Sequence, residues 1–506
     1  MTRQHIVVVG SGNAALCAGI AALEAGADVT ILEKATLSES GGNSRYTAGA
    51  MRFAYASREE ILALLRDPSE ARLADTEFGS YPKDKFATDM LHFNEGRPLN
   101  DLQRRLIDDS YATMLWLTKH NIRFDPIYSR QTFQKNGKYV FWGGLTLESK
   151  GEGVGLVDAQ IKEFERLGGR VRCQAECREL LLDDGVVTGV VTAVATDVVT
   201  GVRLDTPNST ETITCNAVVL ACGGFESSPE MRGKLLGERW QHAKVRGTPH
   251  NTGAGLTMAQ KVGAELVGRI DGCHAVPMDL HMPDYGNQDL PFIERKNYRK
   301  ICYFLGVMLN ARGERFVDEG QNFRNYTYAQ FGRAILEQPD SFAWQIFDQK
   351  VEPLLYDEYR FEHASFVEAN TLEELVTLLE GVNPDSALQT LQAFNEAVDD
   401  AVVFDPSSLD GRRTHGLKLD KTNWANKLDT PPYRAYPVTC GITFTYAGVK
   451  IDDSAAVLSA AGERIPGLFA CGEMVGGIFF DGYPGGSGLT SGAVFGRLAG
   501  KSAVSV

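Results

Sequence analysis

The feature that most constrains this chain lies near its N-terminus, where the apolar run Ile6-Val7-Val8-Val9 leads directly into Gly10-Ser11-Gly12-Asn13-Ala14-Ala15. This pattern predicts a buried strand, a tight glycine turn and the start of a helix. The free N–H groups and the positive dipole end of such a helix attract a pyrophosphate. The segment therefore predicts a dinucleotide-binding turn, with contacts from Gly10, Gly12, Asn13, Ala14 and Ala15.

A second apolar run, Val29-Thr30-Ile31-Leu32, ends at Glu33, which lies 23 positions after Gly10. About 20 positions usually separate such a turn from the acidic residue that accepts the ribose hydroxyls. Glu33 and the adjacent Lys34 are therefore predicted to bind the cofactor, and the carboxylate disfavours a 2′-phosphate. The alternative is a surface glutamate that ends an ordinary strand.

The C-terminal region supplies a second glycine-rich element. Residues 467–473 predict a short strand that ends in an acidic residue, and residues 482–489 predict a turn that lets backbone approach a flat ligand closely. Another apolar strand, at 217–220, runs towards paired glycines, and ligands sit at the carboxyl ends of strands in a doubly wound sheet. A dinucleotide carrying a tricyclic ring needs both ends of the chain, so we predict FAD. The expected contacts are Gly223, Gly224, Gly472, Glu473, Ser487, Gly488 and Leu489.

Composition limits the partners and the location. The formal net charge of −14 argues against a nucleic-acid or anionic membrane surface, because such binding depends on lysine and arginine. Nine cysteines without a C-x-x-C pair predict reduced thiols and no metal site. The first strand begins too early for a signal peptide, and no stretch approaches the roughly 20 apolar residues of a membrane span. We therefore predict a cytoplasmic protein, with peripheral docking through a membrane partner left open.

Changes of pattern along the 506 residues predict two domains, the default at this length. Apolar residues show helical spacing over about 57–122. Valine-rich segments between 170 and 222, broken by Asp183-Asp184-Gly185 and Thr200-Gly201, predict antiparallel ribbon. The mixed, polar region that follows is interpreted as an insertion, which would create a cleft suited to a small molecule. The predicted parts are an FAD-binding domain at 1–272 and 445–506, and a capping domain at 273–444.

Several motifs in order resemble the flavoprotein family of fumarate reductase and succinate dehydrogenase, with its soluble relatives the 3-ketosteroid and tricarballylate dehydrogenases. They are the Gly10 turn, Gly41-Gly42-Asn43-Ser44, Gly223-Gly224, residues 251–255, residues 313–319 and Gly472-Glu473. The resemblance covers nearly the whole chain. It implies an α/β fold, with a Rossmann-like FAD-binding domain and an inserted α+β capping domain. It also adds four cofactor contacts, Gly41, Gly42, Asn43 and Ser44.

The same resemblance bears on how the cofactor is held. Membrane succinate dehydrogenases attach FAD through a histidine in the loop that corresponds to residues 41–51. This segment contains no histidine. Noncovalent FAD is therefore expected.

Within the family, residues 315–328 and 481–492 look most like tricarballylate dehydrogenase, which oxidises propane-1,2,3-tricarboxylate to cis-aconitate and passes electrons to a membrane partner. Two departures weaken a fumarate interpretation. Thr443-Phe444-Thr445 stands where fumarate reductases carry histidine, and Tyr483 stands where they carry arginine. The sequence Tyr483-Pro484-Gly485-Gly486 is also similar to that of the ketosteroid enzymes, in which tyrosine helps to polarise a carbonyl, so a ketone substrate stays open.

Desaturation beside a carboxylate or ketone needs a hydride acceptor, here flavin N5, a base for the α-proton and positive charge for the developing enolate. Arginine is the best clamp for a carboxylate because its planar fork binds both oxygens. Arg324 lies one position from the usual place of the arginine that shuttles a proton in this family, and a salt bridge within the cap is the alternative. The candidate arginines are Arg324, Arg299, Arg52 and Arg246.

The basic run at 295–300 is interpreted as a solvated face, a wall of the cleft or a docking site for an acidic redox partner. His274 sits where the family's cap begins and often holds a substrate-binding histidine. Tyr483 is expected to face Arg324 across the substrate and to donate a hydrogen bond to it. The predicted catalytic residues are Arg324, Tyr483 and His274, and the predicted substrate-binding residues are Arg299, Arg52, His250 and Tyr446.

These features predict an FAD-dependent dehydrogenase of a saturated polycarboxylate, with tricarballylate to cis-aconitate first. A 3-ketosteroid-type Δ-dehydrogenase and a fumarate-reductase-like enoate reductase are the enzyme alternatives. A flavin-bearing electron-transfer subunit, with an occluded cleft, is the alternative of another class. The expected partners are a small polycarboxylate and either an electron acceptor protein or a quinone-linked membrane partner.

Overall fold

The computed structural model describes residues 3–194, 209–286 and 289–505. A six-stranded sheet forms the centre of the first domain, and all of its neighbouring strands are parallel except the first pair. In spatial order its strands are Ala456–Leu458, Arg464–Ala470, Ala217–Leu220, His5–Val9, Asp28–Leu32 and Arg170–Arg172. The strand His5–Val9 is buried along its apolar run, as expected of a strand covered on both faces. This sheet confirms the predicted α/β class.

The two faces of the central sheet are covered by different elements. A three-stranded antiparallel ribbon, made of Ala175–Asp183, Val186–Val194 and Ser209–Thr214, packs against the strands Ala217–Leu220 and Arg464–Ala470. The turn Asp183-Asp184-Gly185 joins its first two strands, as the sequence predicts. The second predicted turn, Thr200-Gly201, lies outside the described residues.

The first helix, Asn13–Glu24, packs along the last helix, Ser487–Ala503, and this contact brings the two ends of the chain together. Glycines on the last helix make the close approach possible. A Cβ atom on Gly496 would lie 2.4 Å from the Ala14 carbonyl oxygen, and one on Gly500 would lie 2.0 Å from that of Ala18. Real Cβ atoms do not approach backbone so closely, so the helix spacing requires glycine at both positions.

A second sheet is built around the long strand Tyr433–Thr445. Its other strands are Lys244–Val245, Phe342–Phe347, Val307–Asn310, Cys273–Asp279 and Val367–Ala369. The helices of this region are Arg324–Leu336, Leu372–Leu378 and Pro384–Ala397. The short strand Lys244–Val245 joins this sheet although it precedes residue 273, where we placed the start of the cap.

The remaining elements are short strands and helices around these two sheets. The helices are Arg58–Leu62, Lys83–His92, Asp101–Lys119, Tyr128–Gln131, Glu152–Arg166, Pro229–Leu235, Ala254–Lys261 and Phe292–Arg295. The strands are Ala50–Met51, Thr76–Glu77, Phe124–Pro126, Thr132–Lys135, Lys138–Phe141, Leu147–Ser149, Leu266–Val267 and Gly448–Val449. Three of the helices fall within 57–122, where the apolar spacing predicts them. Over the described ranges, no helix is both long and apolar enough to cross a membrane.

The basic run at 295–300 connects the inserted region to the first domain instead of forming a solvated face. Arg295 makes a bidentate ion pair with Glu39, with Nη···Oε distances of 2.7 and 3.0 Å, and Lys296 pairs with Glu152. Lys300 is fully buried, 3.7 Å from a carboxylate oxygen of Asp279. Arg295 and Lys296 therefore tie the inserted region to the first domain, whereas Lys300 pairs within the inserted region. Arg299 is left to contribute to the site below.

The helix contact at the chain ends gives a first prediction. Gly500→Ala should lower the melting temperature of the FAD-loaded protein, because a methyl group forced against the Ala18 carbonyl costs about 1–3 kcal/mol. Lys501→Ala, on the exposed side of the same helix, is the control and should change stability by less than about 0.5 kcal/mol. Equal melting temperatures for the two variants would contradict the role of Gly500. Differential scanning fluorimetry followed by flavin emission provides the measurement.

Candidate active site

One cavity runs from the carboxyl ends of the central strands to the inner face of the second sheet, and encloses about 1780 Å³ of space including open solvent. Glycine turns line one half of the cavity, and arginines with aromatic residues line the other. The cavity therefore has two chemically different halves, one suited to the phosphates of a dinucleotide and the other to an anionic ligand.

The glycine turn at the start of the chain leaves space for a phosphate. Gly10 has a φ of 102°, and a Cβ atom there would lie 2.5 Å from the Ala221 carbonyl oxygen, so only glycine fits. The first helix begins after Gly12, which has no side chain to cap it. Its N-terminus opens onto the cavity at Asn13 and Ala14. This arrangement fits the pyrophosphate of a dinucleotide.

Glu33 is held in one orientation by two hydrogen bonds. It is buried on the cavity wall, and its two carboxylate oxygens accept hydrogen bonds from the Ser11 hydroxyl at 2.5 Å and the Ala35 amide at 2.8 Å. The Ser11 oxygen in turn accepts a hydrogen bond from the Gly41 amide at 2.8 Å. A carboxylate has about four acceptor positions, so two remain for the ribose hydroxyls.

Asn13 connects the two ends of the chain at the cavity. Its side-chain nitrogen donates to the Leu489 carbonyl at 2.8 Å, and its side-chain oxygen accepts from Gln160 at 2.8 Å. Its backbone amide donates to the Ser44 hydroxyl at 3.0 Å. The N-terminal turn, the loop at 41–44 and the C-terminal turn are therefore fixed relative to one another before any ligand binds.

A pair of buried carboxyl groups lies near Gly223 and Gly224, and one of them, Glu473, lines the cavity. Glu226 accepts hydrogen bonds from the side-chain amides of Asn43 and Asn251, both at 2.6 Å. Glu473 accepts from the backbone amide and the hydroxyl of Thr445 at 2.6 and 2.9 Å. Burial, followed by the charge of Glu473, raises the pKa of Glu226 well above its usual range, and burial raises the pKa of Glu473 to about 7. The buried environment therefore favours the protonated form of Glu226.

Most of the predicted cofactor residues meet in this half of the cavity. Those that line it are Gly10, Gly12, Asn13, Ala14, Glu33, Lys34, Gly42, Asn43, Ser44, Gly223, Gly472, Glu473, Gly488 and Leu489. The other four, Ala15, Gly41, Gly224 and Ser487, lie directly behind the wall. At Gly224, for example, a Cβ atom would lie 2.1 Å from the Thr445 hydroxyl oxygen. Ser487 donates to the Pro484 carbonyl at 2.7 Å and closes the C-terminal turn.

Three buried arginines line the opposite half of the cavity, Arg246, Arg299 and Arg324. They are exposed by only 6–8%, and the Nε atom of each has no hydrogen-bond partner among the described residues. Arg299 pairs with Glu358, and although burial acts in the other direction, this ion pair lowers the pKa of Glu358 to about 2. Arg246 and Arg324 have no carboxylate within 4 Å in the part of the chain that the structure describes. The wall thus carries buried positive charge in excess.

Arg324 is the first residue of the helix Arg324–Leu336. Its guanidinium carbon lies 5.8 Å from the ring centre of Trp142 and 5.2 Å from that of Tyr356, and one Nη donates to the Arg130 carbonyl at 3.5 Å. Aromatic faces attract a guanidinium but do not neutralise it. The predicted salt bridge within the cap is therefore absent at Arg324 among the described residues.

His274 and Tyr483 form a hydrogen-bonded pair on the same wall. The Tyr483 hydroxyl contacts Nδ1 of His274, and Nε2 of His274 has no partner among the residues described. Burial, then the charges of Arg246 and Arg299, lowers the pKa of His274 well below its usual range. Burial also raises the pKa of Tyr483 well above its usual range. At neutral pH the pair is a neutral imidazole and a protonated phenol. The Tyr483 hydroxyl can therefore donate a hydrogen bond to a ligand oxygen.

Three predicted substrate residues occupy other places. Arg52 lies outside the cavity, where it is fully buried and donates to the carbonyls of Gly485 at 2.8 Å and Gly143 at 2.7 Å. Tyr446 also lies outside, with its ring 6.2 Å from that of Tyr483, and its buried hydroxyl has no partner in the described part of the chain. His250 lines the cavity at the cofactor end, near Lys34 and Glu33. Arg52 and Tyr446 therefore lie against the C-terminal turn and do not line the cavity.

Comparison with known proteins identifies the family of this chain. The family described as FAD binding domain matches residues 5–489 of the chain. The chain belongs to this family. The three-dimensional cradle fits FAD, since the glycine positions and the uncapped helix N-terminus suit a pyrophosphate and Glu33 suits the ribose hydroxyls. Across the described residues, no group of three or more metal-ligating side chains occurs.

Relatives of this FAD-binding chain are oxidoreductases. It is 28% identical to an NADH:acrylate oxidoreductase of Vibrio harveyi, over 98% of the chain and 50% of the relative. It is 26% identical to a fumarate reductase (cytochrome) of Shewanella frigidimarina, over 98% of the chain and 76% of the relative. The chain thus spans about half the length of the first relative and three quarters of the second. The chain therefore belongs to an FAD-binding family and is similar, over nearly its whole length, to oxidoreductases of the fumarate reductase type.

Solved structures agree with this assignment. The open conformation of a flavocytochrome c3 fumarate reductase superposes with a TM-score of 0.71 at 25% identity, over 99% of the chain and 78% of that structure. A 3-ketosteroid Δ1-dehydrogenase of Sterolibacterium denitrificans superposes with a TM-score of 0.72 at 19% identity, over the whole of both chains. The second likeness shows the fold alone.

Sequence reasoning missed some residues of the site. Ser11 was treated only as a turn residue, although it holds Glu33 and the loop at Gly41 together. Arg130, Gln131 and Tyr328 line the cavity beside Arg324. Arg130 and Gln131 belong to a four-residue helix in a polar region, and nothing in their local pattern distinguishes them from surface residues.

The cradle gives a second prediction, which concerns how FAD is bound. The segment 41–51 reaches the cavity through small residues such as Gly42, Ser44 and Ala48 and contains no histidine. Acid precipitation of the yellow protein should therefore release all of the chromophore into the supernatant, as FAD. Colour that stays in the pellet would contradict noncovalent binding. Released FMN would contradict the dinucleotide assignment.

Proposed function

We propose that this oxidoreductase desaturates a saturated polycarboxylate at a CH–CH bond, with tricarballylate to cis-aconitate as the first candidate. One observation carries the proposal: the buried guanidinium groups of Arg299 and Arg324 open into the same cavity as the Tyr483–His274 pair, beside the FAD cradle. The anionic groups of the substrate would bind to the arginines. The Tyr483 hydroxyl would then donate a hydrogen bond to an oxygen at the reacting end of the substrate.

Charge favours a carboxylate substrate over the alternatives. A buried cation without a partner is costly, and Arg324 has no carboxylate partner among the described residues. A neutral steroid would leave that charge uncompensated, whereas a polycarboxylate would neutralise it through the bidentate contact that arginine favours. A substrate-free electron-transfer subunit would need a closed cleft, and this cavity extends beyond the cradle to the arginines.

The side chains supply the polar chemistry that desaturation requires. FAD, when bound, supplies the two-electron acceptor. Tyr483 keeps its proton and can donate to a substrate carboxylate as negative charge develops on it, while His274 orients the hydroxyl through Nδ1. Arg324 would stabilise or relay the proton that leaves the α-carbon of the substrate. Arg299 would hold a remote carboxylate, because its Nη contact with Glu358 leaves Nε free.

Reduction of an enoate is the second candidate. The relatives named above reduce acrylate and fumarate according to their names. The same donors and cations serve both directions of one reaction, because the transition state is shared. The direction in the cell would then depend on the redox partner, which we propose to be an electron carrier protein or a quinone-linked membrane partner. The cytoplasmic location remains a prediction.

The third prediction tests the substrate class. Under anaerobic conditions, tricarballylate should bleach the flavin absorbance of the oxidised protein, and succinate should do so more slowly because it makes fewer ionic contacts. A 3-ketosteroid should leave the absorbance unchanged. Bleaching by the steroid alone would contradict the proposal. Failure of all three, with reduced protein reoxidised by an enoate such as fumarate, would show that the second candidate is correct.

The fourth prediction tests the role of Tyr483. Tyr483→Phe removes only the hydroxyl that contacts His274, so it should slow anaerobic flavin reduction by about tenfold to a hundredfold, equivalent to roughly 1–3 kcal/mol. Tyr446→Phe is a matched control, because that hydroxyl is buried outside the cavity. Stopped-flow absorbance at saturating substrate gives the rate. If Tyr483→Phe retains the wild-type rate with normal FAD content, this assignment is wrong.

A further inference from the structure

Arg246 is the third buried arginine of the cavity, and the proposed function gives roles only to Arg299 and Arg324. Arg246 directly follows the edge strand Lys244–Val245 of the second sheet. Its backbone amide donates to the Ile442 carbonyl at 2.8 Å, and its own carbonyl accepts from the Thr443 hydroxyl at 2.8 Å. The backbone at Arg246 is thus fixed by the neighbouring strand. Its side chain then extends along the cavity wall.

The hydrogen-bonding capacity of Arg246 is almost unused. Among the described residues, its guanidinium makes one hydrogen bond, an Nη2 donation to the Thr443 hydroxyl oxygen at 3.4 Å, and Nε has no partner. A guanidinium carries five N–H donors in a planar fork. Since the side chain is only 7% exposed, water replaces few of these bonds. Such a group needs an anion.

The surroundings of Arg246 also disfavour its positive charge. Burial, and next the charge of Arg299, lowers the pKa of Arg246 to about 10. The group is therefore still charged at neutral pH. Glu358 neutralises Arg299 but has no ion-pair contact with Arg246 within 4 Å. An anion bound at Arg246 would offset both its burial and the repulsion from Arg299.

We propose that Arg246, with the hydroxyl of Thr443, forms a separate subsite that recognises a third carboxylate, and so makes the cleft selective for tricarboxylates over dicarboxylates. This inference rests on the proposed function. Each of the three cleft arginines has one unpartnered Nε, and each fork suits one carboxylate. Arg299 and Arg324 would bind two carboxylates of the substrate, and a dicarboxylate would leave Arg246 unpaired.

The experiment uses two unsaturated ligands that differ in this one group. cis-Aconitate carries three carboxylates, and in citraconate a methyl group replaces its CH2–COO− arm. Isothermal titration calorimetry of each ligand into the oxidised, FAD-loaded protein gives dissociation constants without turnover. The variants are Arg246→Gln, which removes the charge, and Thr443→Val, which removes only the hydroxyl.

In the wild type, cis-aconitate should bind more tightly than citraconate. Arg246→Gln should weaken cis-aconitate by about tenfold to a hundredfold, as expected for the loss of a charge-assisted contact, and should change citraconate by less than about threefold. Thr443→Val should weaken cis-aconitate by a smaller factor in the same direction. Arg239→Gln removes one positive charge from a residue outside the cavity, and should change neither constant.

Different failures have different meanings. Equal affinity of the wild type for the two ligands, or equal weakening of both by Arg246→Gln, overturns the third-carboxylate subsite and leaves the proposed function standing. Loss of FAD from Arg246→Gln overturns it too, because the residue would then belong to the cofactor cradle. If the wild type binds neither ligand, the proposed polycarboxylate function fails and the subsite fails with it. If Arg246→Gln does not fold, Thr443→Val tests the subsite instead. The ratio of its dissociation constants for cis-aconitate and citraconate is then compared with the wild-type ratio.

Discussion

The close contact between the first helix and the last helix is the constraint on which the site depends. Gly496 and Gly500 let Ser487–Ala503 approach Asn13–Glu24 so closely that any side chain at these positions would meet backbone. The N-termini of both helices then open onto one cavity, and Asn13 bonds to Leu489 across the contact. Residues more than 470 positions apart thus form one cradle. The FAD site exists only when both ends of the chain are folded.

That cradle also explains which parts of the structure could be predicted from sequence. The turn at Gly10, the carboxylate of Glu33 and the C-terminal turn are local patterns, because a backbone that must approach a ligand closely needs glycine at fixed offsets. The pairing of Lys244–Val245 with Tyr433–Thr445 links residues nearly 200 positions apart. No local pattern predicts such a pairing, and for this reason the predicted boundary at residue 273 does not anticipate that Lys244–Val245 joins the second sheet.

Side chains of the substrate half were harder to assign for the same physical reason. Arg52 and Arg246 are both arginines near glycine-rich or strand segments, and in sequence they look alike. In the structure the Arg52 guanidinium donates to two backbone carbonyls, whereas that of Arg246 has a single weak contact. Whether an arginine is structural or binds a ligand depends on which acceptors surround it. Those acceptors come from distant segments, so sequence alone identified the residue type but not its role.

The substrate half differs from the cofactor half in how its polar groups are satisfied. Glu33 and Asn13 have their hydrogen bonds arranged by the protein itself, which fixes their orientation before a ligand binds. Of the cleft arginines, Arg324 is held by aromatic and backbone contacts, Arg299 by Glu358 and Arg246 by the Thr443 hydroxyl. The Nε group of each has no partner among the described residues. Buried donors without acceptors destabilise the free protein, and they discriminate strongly against ligands that lack the matching oxygen. The cofactor site therefore favours tight, permanent binding. The unpaired donors of the arginine wall form their hydrogen bonds only when an anionic substrate binds, and lose them when it is released.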